Sequence, residues 1–137
     1  MPRVDIDFAL IADYAELVNG KLYLMGGGWD TFNAAAEPIQ LAPAIALGVR
    51  IGWEETNRNV PVRVTIEDDD GAEMVRADGN LTVGRPPGLE AGATQLAQMT
   101  ARLGILLPRF GGYRVHVTVG TGDTAVERFL PFRIVKA

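Results

Sequence analysis

The sequence lacks cysteine and serine altogether, and His116 is its only histidine. A serine or cysteine nucleophile is therefore impossible, and a zinc or iron site built from several histidine or cysteine ligands cannot be assembled. Carboxylates, lysine, tyrosine and threonine are the only candidates left for catalysis. The composition therefore predicts no catalytic residue, no metal site and no cofactor, and it favours a protein that is not an enzyme.

Concentrated positive charge and long apolar runs are missing as well. Thirteen Lys and Arg residues are scattered among seventeen Asp and Glu residues, which disfavours binding to nucleic acid. The apolar run at residues 8–12 ends at Asp13 and is far shorter than the roughly 20 residues that cross a membrane. Carboxylates interrupt the apolar residues of segment 1–7, which is unlike a signal peptide. We expect a cytoplasmic protein that binds neither nucleic acid nor membrane.

What the 137 residues do contain is apolar side chains in strict alternation, the pattern of half-buried strands. Their number suits a single domain, residues 1–137, with an ordinary hydrophobic core. The clearest alternating series is Ile45, Leu47, Val49, Ile51 and Trp53. Trp53 ends this series in phase, so we expect a core residue there, and its replacement by alanine should cost about 3–5 kcal/mol.

Turn-forming residues separate the alternating segments. Asn19-Gly20 and Asp70-Gly71 favour tight hairpin turns, and residues 34–43, with two prolines, are predicted to form a loop. The pattern predicts an all-β fold, a two-sheet antiparallel sandwich of eight or nine strands, immunoglobulin-like in type. Tyr113, which opens a late strand after a glycine-rich turn, is typical of the tyrosine corner of such domains.

The segment 94–107 has two interpretations. Leu96, Met99, Leu103 and Leu106 fit helical spacing, and the composition favours a helix. The odd-numbered residues from 97 to 107 also form an unbroken apolar series, as a long strand would require. The strand is the favoured interpretation, and the helix stays open.

Three other features have plain structural interpretations. Residues 26–28, three glycines, lack the helix and Lys-Ser/Thr of a phosphate loop, so a bulge or wide turn is expected. The acidic run Asp68-Asp69-Asp70 lacks the EF-hand spacing, so a solvated hairpin turn is expected, and a weak calcium site is left open. His116 alternates with apolar residues and should lie on the outward face of its strand.

Several longer motifs run along nearly the whole chain. They are Phe8-Ala9-Leu10-Ile11-Ala12-Asp13-Tyr14-Ala15-Glu16, Asn19-Gly20-Lys21-Leu22-Tyr23, Gly26-Gly27-Gly28-Trp29-Asp30, Trp53-Glu54-Glu55-Thr56-Asn57-Arg58 and Gly84-Arg85-Pro86-Pro87-Gly88. Together they resemble a family of small bacterial proteins known only as a domain of unknown function. The resemblance implies a bacterial, single-domain, all-β protein, and it implies no catalytic residue, cofactor or partner.

The loops between strands offer one candidate binding site. Successive connections of an antiparallel fold alternate between its two ends, which should bring together the loops 26–28, 53–59, 84–94 and 120–124. Binding surfaces tend to lie on loops held by a rigid scaffold, so we expect a ligand or partner to contact Glu55, Asn57, Arg58 and Arg85. The plain alternative is that Glu54 or Glu55 pairs with one of these arginines merely to order the loops.

The functional prediction is a non-catalytic interaction or structural module. The alternative is a β-sandwich that binds a small ligand or a carbohydrate, and a carboxylate-dependent enzyme, using residues such as Glu54, Asp30 or Asp123, is less expected. The partner would be an unknown protein or a second copy of the chain.

A homodimer is suggested by the side chains on one face of the central strand. Ala44, Ala46 and Gly48 leave a strip of little volume there, which another layer could approach closely. The alternative is that a loop of the same chain, such as residues 34–43, covers this strip.

Overall fold

The computed structural model describes residues 4–137, so the first three residues of the segment considered as a signal peptide lie outside it. Two single-turn 3-10 helices, Trp53–Glu55 and Gly122–Thr124, interrupt the strands. No helix within residues 4–137 has the length and apolar character needed to cross a membrane. The strands are β1 Val4–Val18, β2 Lys21–Gly27, β3 Thr31–Ala34, β4 Ile39–Leu41, β5 Ala44–Ile51, β6 Val60–Asp68, β7 Glu73–Leu81, β8 Gln95–Arg102, β9 Ile105–Leu107, β10 Gly111–Val119 and β11 Val126–Lys136.

The strands form two main sheets in a sandwich-like, all-β arrangement. Sheet A has the order β2-β1-β5-β8, sheet B has the order β3-β11-β10-β6-β7, and β4 pairs with β9. Residues 4–137 form eleven strands, so the expectation of eight or nine was wrong. The segment 34–43, predicted as a loop, contains the short β4, and the segment 94–107 is divided between β8 and β9. The sheets are also not wholly antiparallel, since β3 runs parallel to β11. The segment 94–107 is extended, so the strand interpretation is confirmed.

The core lies between the inner faces of the two sheets. Residues 45, 47, 49 and 51 of β5 are almost completely buried, as their alternation predicted. Trp53 is the exception, and the prediction of a core position was wrong. Strand β5 ends at Ile51, and the chain then enters the 3-10 helix Trp53–Glu55. The alternation of the strand therefore does not extend to Trp53, whose side chain is only half-buried.

The end of β1 and most of β2 form an arm that folds over the outer face of sheet A. We call residues 13–25 the hairpin arm. Its turn, Asn19-Gly20, has φ angles of 51° and 74°, as a type I′ hairpin requires. The Nε2 of Gln98 donates to the Gly20 carbonyl over 3.0 Å, and Nη2 of Arg102 donates to the Asp13 carbonyl over 3.0 Å.

The hairpin arm explains why the strip of small residues on β5 is buried. Gln98 and Arg102 of β8 pair with Gly48 and Ala44 of β5, so their side chains lie on the same outer face of sheet A as the strip. Ala44 and Ala46 are buried, although they point away from the core. A segment of the same chain therefore covers the strip, and the two hydrogen bonds place the hairpin arm over it. Arg102 also donates to the carbonyl of Ala42, within residues 34–43, over 3.2 Å. The strip itself is not open to a second copy.

Candidate binding surface

Arg85 organises the loops in which the sequence placed a binding site. Its guanidinium carbon lies 3.8 Å from the ring centre of Trp53, a cation–π arrangement. Its Nε donates to Oγ1 of Thr56 over 2.7 Å, and its Nη2 donates to the Trp53 carbonyl over 2.8 Å. Arg85 therefore orders the loop 53–59 through Trp53 and Thr56.

The other predicted site residues lie in the same region. The backbone N–H of Asn57 donates to the Val83 carbonyl over 2.7 Å, and Asn57 itself has a φ of 62°. Asn57 and Arg58 are exposed, while Glu55 lines a cleft that also includes Thr121. The structure therefore brings together the loops 53–59, 84–94 and 120–124.

The triple glycine does not join these loops, so that part of the predicted grouping was wrong. Gly28 donates its N–H to the Ile11 carbonyl, and Asp30 just beyond it shares a cleft with Asp69 of the acidic turn. The reason is the hairpin arm: its turn lies over a sheet face, not at an end of the sandwich, so alternation between the two ends fails at the first connection.

The acidic turn is a hairpin turn between β6 and β7, as expected. Oδ1 of Asp68 accepts the backbone N–H groups of Asp70 and Ala72, each over 2.9 Å, and Gly71 has a φ of 83°. Within residues 4–137, no group of three or more His, Cys, Asp or Glu side chains is arranged to hold a metal ion.

A polar network that the sequence did not reveal lies on the outer face of sheet B. Glu67 of β6 is buried there between two partners on β10. Its Oε1 accepts from Nε of Arg114 over 2.7 Å, and its Oε2 lies 2.9 Å from Nδ1 of His116. The other ring nitrogen of His116 lies 2.8 Å from Oε2 of Glu127 on β11. Three strands are thus joined by one row of ionisable side chains.

The hydrogen bonds of the network affect the pKa of Glu67. Carboxylate oxygens only accept hydrogen bonds, so a ring nitrogen of His116 donates to its glutamate when that nitrogen carries a proton. Burial by itself raises the pKa of the Glu67 carboxyl. The hydrogen bonds from His116 and Arg114, together with their charges, outweigh burial and hold that pKa below its ordinary value. His116 does face outward, as predicted, but the network encloses most of its ring.

An exposed aromatic ring lies beside this network. Phe129 of β11 is 41% exposed, and its ring centre lies 4.2 Å from that of His116 in a stacked arrangement. The guanidinium carbon of Arg114 lies 4.6 Å from the same ring centre. His116 and Arg114 fix the position of the ring at the surface. Phe129 therefore offers an apolar contact within a charged face.

A groove of about 310 Å³ continues the same face toward the loop 120–124. Arg63 and Asp78 form an ion pair of 3.0 Å in its wall, and Asn80, Thr118 and Thr121 complete its polar lining. Oγ1 of Thr118 lies 3.5 Å from Nε2 of His116, so the groove and the network adjoin. We call the groove, the network and Phe129 together the sheet B surface.

Comparison with known proteins bears on the family and on the fold. The sequence model of a family described as "Family of unknown function (DUF6941)" matches residues 7–135. The chain belongs to this family. The resemblance to a domain family of unknown function is therefore confirmed. No curated protein matches this DUF6941 protein.

Solved structures similar to this DUF6941 protein share its fold at low sequence identity. The C-terminal domain of Wzt is 12% identical with a TM-score of 0.56, covering 100% of this chain and 76% of that one. A β-glucuronidase from glycoside hydrolase family 2 is 14% identical with a TM-score of 0.54, covering 97% of this chain but 11% of that one. A family 2 member from Bacteroides cellulosilyticus DSM 14838 is 14% identical with a TM-score of 0.50, covering 73% and 14%. The chain thus spans a small part of either hydrolase.

Proposed function

We propose that this DUF6941 protein is a non-catalytic binding module whose ligand lies on the sheet B surface. The observation that carries the proposal is the continuity of a polar groove, a hydrogen-bonded charged network and an exposed aromatic ring on one rigid sheet. Binding sites combine apolar contact with a few fixed polar groups in this way. Rejection of catalysis rests on the composition, which offers no serine or cysteine nucleophile.

The chemistry of the surface favours a neutral saccharide as the ligand. Arg63 is paired with Asp78, and Glu67 with Arg114 and His116, so little charge is left to attract an ion. The amide and hydroxyl groups of the groove both donate and accept hydrogen bonds, as sugar hydroxyls do. Phe129 supplies an apolar face for a sugar ring. Two of the similar folds occur within proteins named as glycoside hydrolases, which agrees with this choice.

The test is calorimetric titration with a panel of neutral tetra- to hexasaccharides. We expect one of them to bind, and expect Asp78→Asn and Phe129→Ala each to weaken that binding at least tenfold. Asp7→Asn is the matched control, because Asp7 forms an equivalent 3.0 Å pair with Arg50 on sheet A. If no member of the panel binds, the saccharide assignment fails; if Asp7→Asn weakens binding as much as Asp78→Asn, the location fails.

A second candidate is a protein partner at the loops 53–59 and 84–94, contacted by Glu55, Asn57, Arg58 and Arg85. The supporting observation is that Arg85 holds these loops in one conformation through Trp53 and Thr56, so Asn57 and Arg58 are presented at low entropic cost. Combined Asn57→Ala and Arg58→Ala changes should abolish binding of a partner cross-linked in the native cell. Survival of that binding would remove the candidate.

Two finer assignments are also part of the proposal. The immunoglobulin-like type is supported by Tyr113, whose hydroxyl donates to the Arg109 carbonyl over 2.7 Å, as in a tyrosine corner. A cytoplasmic location is the second assignment. Fractionation of native cells tests the location.

A further inference from the structure

The hairpin arm carries a concentration of exposed apolar side chains that the sheet B surface does not use. Met25 is 69% exposed and Tyr23 is 52% exposed, and the alternation of β2 puts both on one face of the strand. Five of the eight large hydrophobic residues that are exposed within residues 4–137 belong to this arm. The five are Tyr14, Leu17, Val18, Tyr23 and Met25.

The arm also presents an open strand edge. β2 is the last strand of sheet A, with β1 on one side only. In a two-residue hairpin the pair next to the turn, here Val18 and Lys21, is hydrogen-bonded, so Tyr23 and Met25 also direct their backbone groups toward β1. The backbone N–H and C=O groups of Leu22 and Leu24 therefore point outward, where another strand could pair with them. Gly26, with a φ of 62°, departs from the extended backbone of the strand.

We propose that two copies of the chain associate through β2, antiparallel, about a two-fold axis at Leu24. In this register Leu24 lies opposite the partner's Leu24, and Leu22 lies opposite the partner's Gly26. The backbone groups of Leu22 and Leu24 point outward, so the hydrogen bonds of the sheet continue across the axis. The two arms become one four-stranded sheet.

The side chains of β2 fit a second copy better than a foreign strand. The register places Tyr23 opposite the partner's Met25, and the two-fold axis repeats this contact, giving two pairs of a methionine with an aromatic ring. Lys21, the one charged residue of β2, lies opposite the partner's Gly27, so no like charges meet. By contrast the edge of sheet B, β7, carries Glu73, Arg76 and Asp78, charges that protect an edge strand from pairing.

The first test is the molar mass of the intact chain by light scattering over a micromolar concentration series. We expect twice the monomer mass of 14.7 kDa. Met25→Lys should raise the dissociation constant of the dimer at least tenfold, because it places a charged side chain opposite the partner's Tyr23. The matched control is Leu106→Lys, since Leu106 is similarly exposed at 60% but lies on β9. A constant 14.7 kDa for the unmodified chain overturns the proposal, as does equal weakening by the control.

A cross-link tests the register itself. The chain has no cysteine, so Leu24→Cys introduces a single thiol. Opposite residues of a hydrogen-bonded pair have Cα atoms about 5.5 Å apart, within the range of about 4.4–6.8 Å that a disulfide spans. Mild oxidation should convert Leu24→Cys to a covalent dimer, while Leu106→Cys remains mostly monomeric. A dimer by mass in which Leu24→Cys cross-links no better than Leu106→Cys would assign the interface elsewhere and overturn the proposal.

Discussion

The two sheets use their outer faces in opposite ways. Sheet A directs Ala44, Ala46 and Gly48 outward, and Phe8 and the hairpin arm of the same chain cover them. Sheet B directs Glu67, His116 and other charged or aromatic residues outward, and its surface stays open. The comparison teaches that side-chain volume on the outward positions, more than alternation itself, distinguishes a face that the chain covers from a face that stays exposed.

The two faces also differ in the interactions that hold their outward residues in place, which are packing contacts on sheet A and hydrogen bonds on sheet B. On sheet A the ring of Phe8 lies directly over Gly48, in the space that a Cβ atom would need. On sheet B the outward groups are held by hydrogen bonds and ion pairs across strands, with room around them. Added volume should therefore harm sheet A, and lost polar partners should harm sheet B.

The largest effect is expected from Gly48→Val. The new side chain displaces Phe8 from sheet A, and overpacking of this kind costs about 1–3 kcal/mol or more. The free energy of unfolding from urea denaturation measures it. Gly104→Ala is the control, because a Cβ at Gly104 meets no atom within 4 Å, and it should change stability by no more than about 0.5 kcal/mol. Equal stability of the two variants would contradict the account of sheet A.

The next effect is expected from Glu67→Gln. It weakens the charge-assisted hydrogen bonds to Arg114 and His116, and we expect a loss of about 1–2 kcal/mol at neutral pH. The pKa of Glu67 is held below its ordinary value of 4.5, so its stabilising contribution is full above that pH. The contribution is lost as the pH falls through the lower folded-state pKa. Below about pH 4.5, the free energy of unfolding should therefore fall less steeply with decreasing pH in Glu67→Gln than in the unmodified chain. Equal slopes would contradict the network.

A smaller effect on stability is expected from Phe129→Ala. The ring is 41% exposed, so its removal mainly deletes the contacts with His116 and Arg114, and we expect a loss of about 1 kcal/mol. Thermal unfolding measures this loss. A loss above about 3 kcal/mol would mean that Phe129 is part of the core, and that the sheet B surface is less open than described.

The smallest effects are expected from the matched ion pairs of the two faces. Arg50→Ala on sheet A and Arg63→Ala on sheet B each remove an exposed 3.0 Å pair, which usually contributes less than about 1 kcal/mol. The two variants should be equally stable in urea. Only Arg63→Ala should impair binding of the saccharide, so a matching loss with Arg50→Ala would erase the functional difference between the faces.

Much of the fold was predictable because alternation is a local signal. The strand at 95–102 and the buried side of β5 follow from neighbouring residues alone. Trp53 was assigned wrongly because the period was extended across Gly52, where the chain leaves the strand. The cover over Ala46 could not be foreseen, since it depends on how the hairpin arm bends after β1 passes β5.

The two candidate sites differed in how far the sequence could reveal them. The loops 53–59 and 84–94 were grouped correctly because the strands between them alternate in direction. The contacts of His116 with Glu67 and Glu127 depend on the register of β10 against β6 and β11, which sequence spacing does not encode. A histidine predicted to face outward on a central strand was the only available signal.

The hairpin arm has a consequence for the order in which the chain folds. Its two strands are joined by a two-residue turn, and isolated hairpins form within about 1–10 μs. The strip beneath it exists only after β1, β5 and β8 have paired, and one of those pairings joins Ile45 to the distant Ala101. Because contacts between residues far apart in the sequence form slowly, we expect the arm to form before the rest of sheet A has paired. Its docking over Ala46 would then be a late step in folding.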